Sequence, residues 1–263
     1  FDLESSAVRF KDTRLDFYDG TITFGGSVDF RQGTQVDLKA TVTGVDMRSL
    51  MEASTGEAPE VGFDTLEGEF EVAGSIGSGD RWFDGLSGDG SVLLQGGNLP
   101  SSSVIGTVGG ALARLIPGFA RPDTSSISPE TVIDHLSQSM KLQTGVIEIS
   151  DLEFVTQDYT MRGAGTIGLD GAVSLNTELD LTHEATQKLF LSMALPIPTG
   201  GVQLLPSLPF HVTGTVAHPF FIPDVTSIPR IALRTIFSPV LGVGRFIGGL
   251  FSGQEAETDP SEE

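Results

Sequence analysis

Gly163-Ala164-Gly165-Thr166-Ile167-Gly168 satisfies the G-x-G-x-x-G spacing with which a strand-to-helix turn cradles a pyrophosphate. That chemistry needs a helix directly after the glycines, because the helix N-terminus supplies the N–H groups and the positive dipole end that meet the phosphates. Leu169-Asp170-Gly171 follows instead, and then Val173, Leu175, Leu179 and Leu181 alternate with Ser174, Asn176, Glu178 and Asp180. Such alternation is a strand, so the glycines are read as strand glycines. A three-residue turn, Asp170 to Ala172, would keep Met161, Gly163, Gly165, Ile167 and Leu169 on the same face as Val173 onward.

The other reactive side chains fall into no recognisable arrangement. His135, His183, His211 and His218 lack metal-ligand spacing, and the chain contains no cysteine, which removes thiolate nucleophiles, disulfides and Cys-based zinc sites. There is no G-x-S-x-G elbow. The carboxylates sit at the polar positions of alternating strands or at turn starts, where solvation explains them; an enzyme acting on carbohydrate or lipid would need them clustered in a cleft. No catalytic residue, metal or cofactor is expected. Thirty-five acids against fifteen bases give a formal charge of −20, which repels a phosphate backbone, so nucleic acid is excluded as a partner.

These residues are carried mostly by strands. From Thr21 to Val42 the even positions Ile22, Phe24, Val28, Phe30, Val36, Leu38, Ala40 and Val42 are apolar and the odd ones polar, with a hairpin break at Arg31 to Thr34. Leu66, Phe70 and Val72 repeat the pattern against Glu67, Glu69 and Glu71; it returns near Leu86 to Leu94, at Leu142 to Phe154 and in the opening stretch. Asp-Gly pairs at Asp19, Asp84, Asp89 and Asp170 are expected at hairpin turns. Glycine recurs on the apolar face, which suggests a sheet bent around an apolar interior.

Three segments read as helical. One follows Asp46, a good N-cap; a second runs through Val104, Val108, Leu112, Leu115 and Ile116; a third spans about Pro229 to Phe251. The reading divides the chain into an antiparallel β-trough over 1–225, an apolar C-terminal helical segment over 226–251 and an acidic disordered tail over 252–263. From Thr226 to Phe251 there are three arginines and no acid. Arg230, Arg234, Arg245, Phe246, Ile247, Leu250 and Phe251 therefore suit either a membrane-interface helix or a helix packed on the end of the sheet. No uninterrupted apolar run is long enough to span a bilayer as a helix.

In order, FDGLSGDGSVLLQGGNL, TGVIEISDLEFVTQDYTMRGAGTIGLDGAVSLNTELDL and LPFHVTGTVAHPFFIPD resemble the C-terminal region of the AsmA-like family of bacterial envelope proteins. The family's G-x-G-x-x-x-L strand matches from Gly163 to Leu169, and its P-x-x-x-x-G-T-x-x-x-P segment from Pro209 to Pro219. The resemblance covers Leu66 to Asp224 and implies a mainly β protein: an elongated, curled antiparallel sheet, a trough with an apolar interior and a few short helices. It further implies a periplasmic location with an inner-membrane anchor upstream of Phe1, and a conduit that shields phospholipid or other acyl lipid between the inner and outer membranes.

The lining expected on this basis is Ile22, Phe24, Val28, Phe30, Val36, Leu38, Met161, Ile167, Leu169, Val173, Leu175, Leu179 and Leu181. Charged residues at Ile167 and Leu175 are expected to abolish lipid retention and leave the sheet folded. The alternative is a non-catalytic envelope scaffold that binds a partner protein by strand addition.

Overall fold

The computed structural model describes residues 2–4, 6–31, 33–55, 62–77, 82–100, 130–192, 207–215 and 219–224. Within them the chain is one antiparallel meander. The strands are β1 (Asp2–Glu4), β2 (Ala7–Phe17), β3 (Gly20–Asp29), β4 (Thr34–Asp46), β5 (Thr65–Ile76), β6 (Leu86–Gln95), β7 (Asn98–Pro100), β8 (Glu130–Gln143), β9 (Val146–Thr156), β10 (Tyr159–Gly168), β11 (Ala172–Leu181), β12 (Leu208–Thr215) and β13 (Pro219–Pro223). Each pairs with the next in chain order, except that β6 pairs with β8 and the short β7 pairs with β8 off the main path. The sheet curls without closing: β1 and β13 are its two ends. At about 4.8 Å per strand, the face from β1 to β13 is roughly 50 Å across.

Local chemistry accounts for the turns. Tyr18 (φ 43°) and Asp19 (φ 61°) form a two-residue hairpin between the paired Phe17 and Gly20, and Thr144 (φ 50°) with Gly145 (φ 76°) forms another between Gln143 and Val146. Positive φ at both central residues matches the right-handed twist of the flanking strands. Asp84 and Asp170 lie in turns as expected, but Asp89-Gly90 lies in the middle of β6. There Gly90 makes room instead of turning the chain: a Cβ on it would stand 2.9 Å from the Phe70 ring and 3.4 Å from Met140 Cγ.

Bulges shift the alternation in several strands. In β9 the apolar parity changes from Ile147 and Ile149 to Leu152 and Phe154, where the pairing to β10 slips between Gly163 and Gly165. An extra residue at that point bends the strand and restores the apolar side chains to one face. Asp151 serves the bulge: its carboxylate accepts hydrogen bonds from the Ser139 backbone N–H (2.6 Å) and hydroxyl (2.9 Å). Those bonds, the backbone one first, hold its carboxyl below the usual range.

Two helices project from one end of the strands. α1 (Met47–Thr55) starts at Asp46, whose carboxylate accepts from the N–H groups of Arg48 (2.9 Å) and Ser49 (3.2 Å), as the sequence predicts. α2 (His183–Ser192) occupies a stretch for which the sequence reading has no element. Thr182 caps it, with its hydroxyl accepting from Ala185 N at 3.3 Å. Ala185 and Leu189, one helical turn apart, are fully buried. A latch lies beside them: buried Thr131 donates its hydroxyl hydrogen bond to buried Asp158 at 2.7 Å, and Lys188 approaches Asp158 at 4.0 Å. The helices expected at Val104–Ile116 and Pro229–Phe251, and the acidic tail, lie outside the described residues.

The two rims of the sheet therefore differ. One carries α1, α2 and the tight turns at Tyr18-Asp19 and Gln157-Asp158. The other, among the described residues, carries the hairpin connections after β1, β3, β5, β8, β10 and β12 and no helix. We call them the helix rim and the turn rim.

Candidate functional site

Directly opposed residues in an antiparallel pair present their side chains on one face. The pairing register can therefore be followed strand by strand. One row passes through Phe10, Gly26, Leu38, Val72, Gly88, Leu142, Ile147, Ile167, Val173 and Gly214. It crosses from β2 to β12 without meeting a polar side chain. The neighbouring row, Phe24, Ala40, Phe70, Gly90, Met140, Ile149, Gly165, Leu175 and Val212, does the same from β3 to β12. Toward the helix rim a third row runs Val45, Leu66, Leu94, Leu136, Phe154, Met161, Leu179 and Leu208. The row between the last two, Ile22, Val42, Gly68, Val92 and Gln138 and then Leu152, Gly163, Thr177 and Phe210, is apolar except at Gln138 and Thr177, so a largely apolar face results.

The opposite face is polar and internally paired. Lys39 meets Glu71 across β4 and β5, and Arg162 pairs with Glu153 (2.8 Å) and Asp180 (3.7 Å). Exposed pairs of this kind contribute about 0–1 kcal/mol each and act mainly on register. A hollow of about 830 Å³ opens on this face, lined among others by Asp151, Glu153, Arg162, Asn176, Glu178 and His211. His211 Nδ1 and Asn176 Oδ1 lie 3.0 Å apart there. These groups are exposed or half-buried and hydrogen-bonded to one another, which describes a solvated surface better than a reaction site. Among the described residues no cluster of three or more His, Asp or Glu is placed to hold a metal ion.

The register places the expected lining residues as follows. Leu38, Ile167 and Val173 share the first row, Phe24 and Leu175 the second, Met161 and Leu179 the third. Ile22 pairs with Val42, Val28 with Val36, and Leu181 with Tyr159 at the helix rim. Phe30 and Leu169 lie just beyond the ends of β3 and β10, 54% and 40% exposed. The turn after β10 is Leu169 to Gly171, not Asp170 to Ala172, because Ile167 pairs with Val173; the shift is two residues, so the face is preserved. Arg230, Arg234, Arg245, Phe246, Ile247, Leu250 and Phe251 lie outside the described residues.

The expected lining does not include Leu142, Ile147, Ile149, Leu152, Phe154 and Val212, which lie on the same face. Ile149, Leu152, Leu175 and Val212 form a buried cluster, with Leu136, Ile147, Met161, Ile167 and Val173 packed on it. The change of apolar parity between Ile149 and Leu152 was the available signal. Leu175 (8% exposed) and Leu179 (3%) are thus core residues. A charge at Leu175 would lack solvent and a partner, so the expectation of a folded charged variant does not hold there.

The glycine triplet takes its meaning from the same rows. Gly165 has φ 154°, and Leu175 Cδ2 leans to 3.1 Å from where its Cβ would stand. No helix follows it; β11 does. No family model, no curated protein and no solved structure matches the chain.

Proposed function

We propose that this chain is a lipid-handling segment of the AsmA-like type, periplasmic, in which the apolar face shields phospholipid acyl chains during passage between bacterial inner and outer membranes. The observation that carries the reading is the pair of rows that cross at least nine strands with no polar side chain, half-buried in β3–β6. An acyl chain laid along them leaves water at a gain of about 0.8 kcal/mol per CH₂. Because the rows offer apolar contact at every strand and no fixed polar anchor, the gain changes little as the chain slides. Retention and mobility are then compatible. No residue of the described face supplies a nucleophile or a general base, and the role is non-catalytic.

The β13 end of the sheet favours this reading over a scaffold that recruits a partner by strand addition there. Asp224 N–H bonds to Pro209 O (2.8 Å), so the alternate residues Pro219, Phe221 and Pro223 direct their N positions away from β12. Two of those three are prolines and donate nothing, which makes β13 a poor template. β1 has three residues and pairs only with Ala7 to Arg9 of the eleven-residue β2, so that end of the sheet does not separate the two readings.

The test is native mass spectrometry with lipid extraction, on protein expressed in a bacterial envelope and purified without excess detergent. One or more phospholipids per chain are expected. The double variant Ile22→Glu/Leu38→Glu, placed where the face is half-open, is expected to keep its circular dichroism spectrum and lose the lipid. Normal lipid content in that folded variant would sink the groove reading.

A further inference from the structure

Large apolar side chains are exposed at successive hairpins of the turn rim: Phe30 (54%) after β3, Trp82 (47%) before β6, Val146 (41%) at the start of β9 and Leu169 (40%) after β10. Each hairpin is two strands from the next, so the tips stand about 10 Å apart in one line. Trp82 is held in place: its ring meets Phe83 edge-on at 5.5 Å, and Phe83 in turn lies over the Thr144-Gly145 turn of the next hairpin. Only glycine permits that approach, since a Cβ on Gly145 would stand 2.7 Å from Phe83 Cε2. Neighbouring tips are thereby tied together.

We propose that the turn rim rests in the interfacial zone of a zwitterionic phospholipid bilayer, with Trp82, Phe30 and Leu169 as its anchors. This rests on the groove reading and says where its cargo enters. Three observations select a bilayer. Narrow tips, each one or two large apolar residues beside glycine or a polar turn and only two of them joined through Phe83, suit a soft interface better than a flat protein partner. Tryptophan is the side chain best suited to the headgroup level, apolar in body with one polar N–H. The tips also continue the lining: Leu169 follows Ile167 and Phe30 follows Val28, so an acyl chain can cross the rim without passing a polar row.

Charge selects the headgroup. Arg31 is paired to Asp29 on its own tip (2.5 Å), the other tips carry Asp84 and Asp170, and the chain as a whole is at −20. An anionic surface repels such a protein; a zwitterionic one does not.

Trp82 is the single tryptophan in the chain, so intrinsic fluorescence reports this rim directly. With vesicles of phosphatidylcholine, the emission is expected to shift to the blue and to be quenched when the lipid carries bromine on its acyl chains. Phe30→Ser/Leu169→Ser, which keeps the reporter and alters exposed positions, is expected to weaken partitioning by about tenfold or more. It is also expected to take up new lipid from vesicles more slowly.

Emission unchanged at millimolar lipid would overturn the proposal, as would a blue shift that grows with protein concentration without vesicles, which would assign the rim to a second copy of the chain. The groove is read separately. A chain that carries lipid but ignores vesicles retires the rim alone, whereas vesicle docking by a wild-type protein that never carries lipid retires the groove alone.

Discussion

The apolar face is the same surface in two conditions. Over β3–β6 the middle of the face, including Ile22, Phe24, Leu38, Val42, Phe70 and Val72, is half-buried, and of its side chains only Val45, Val36 and Leu86 nearer the rims are buried. Over β8–β12 the same rows contain Ile149 at 2% exposure, Phe154 at 7%, Leu179 at 3% and Val212 at 4%. Hydrophobic content does not separate the regions, since both rows stay apolar throughout. What differs is covering. In the second region bulges in β8 and β9 tighten the bend, Phe63, Phe154 and Tyr159 form a chain of ring contacts at 6.3 and 5.8 Å, and α2 seats Ala185 and Leu189 at the helix rim. A sheet face becomes core only where the chain supplies a second layer or a bend sharp enough to act as one. The closed region holds the fold, and the half-open one leaves apolar surface for a ligand.

The largest effect that tests this contrast is cavity formation. Ile149→Ala is expected to cost about 2–5 kcal/mol in urea denaturation, because its neighbours cannot collapse into the space. Leu38→Ala, in the same kind of row, is expected to cost roughly 1 kcal/mol, as the side chain gives up only part of its burial. Equal costs would mean that the first region is covered as well, and the contrast would fail.

A matched pair of glycines sharpens it. Gly165→Ala forces a Cβ against Ser174 O and to 2.7 Å from Leu175 Cα at φ 154°, with backbone on the far side that cannot move away, for an expected loss of roughly 2–3 kcal/mol. In Gly90→Ala the obstacles are the Phe70 ring at 2.9 Å, which can swing aside on the half-open face, and Glu69 O at 3.0 Å, a looser backbone contact than in Gly165→Ala, so a smaller loss of roughly 1 kcal/mol is expected. Should Gly90→Ala prove as damaging as Gly165→Ala, Phe70 has no room to swing.

The smallest effect concerns Tyr159, 2% exposed in the closed region. Burial first, and the nearby Asp158 charge second, push its phenol well above the ordinary range. A raised value in the folded state means that the neutral form is favoured by folding. The contribution is complete below about pH 10 and is lost as the pH climbs beyond it. Wild type is expected to lose stability faster than Tyr159→Phe between pH 9 and pH 11, read from urea midpoints; parallel curves would show that Tyr159 is not sealed from solvent.

Much of this was legible locally. Strand alternation from Thr21 to Val42, the helix start at Asp46, the hairpin break at Arg31 and the rejection of the glycine triplet as a nucleotide site all follow from near-neighbour rules, since period, cap and turn chemistry act over a few residues. Helix α2 was also within reach, through Thr182 as cap and Ala185 and Leu189 on one face, but its turns are short and neither long nor strongly apolar. Asp89-Gly90 misled because Asp-Gly is a turn pair locally, whereas Phe70, from another strand, decides the need for glycine.

By itself the sequence determined that each run of strands has one apolar and one polar face, and that no charge interrupts the apolar one. It could not say that the even-numbered face of β3–β4 and the odd-numbered face of β10–β11 are the same side of one sheet. That depends on register carried through six pairings from Leu38 to Val173, including the bulged β4–β5, β8–β9 and β9–β10 pairs, each able to reverse the parity of everything beyond it. Burial was decided the same way: Leu38 and Leu175 look alike in sequence, and only the bend and the layer over the second make it core.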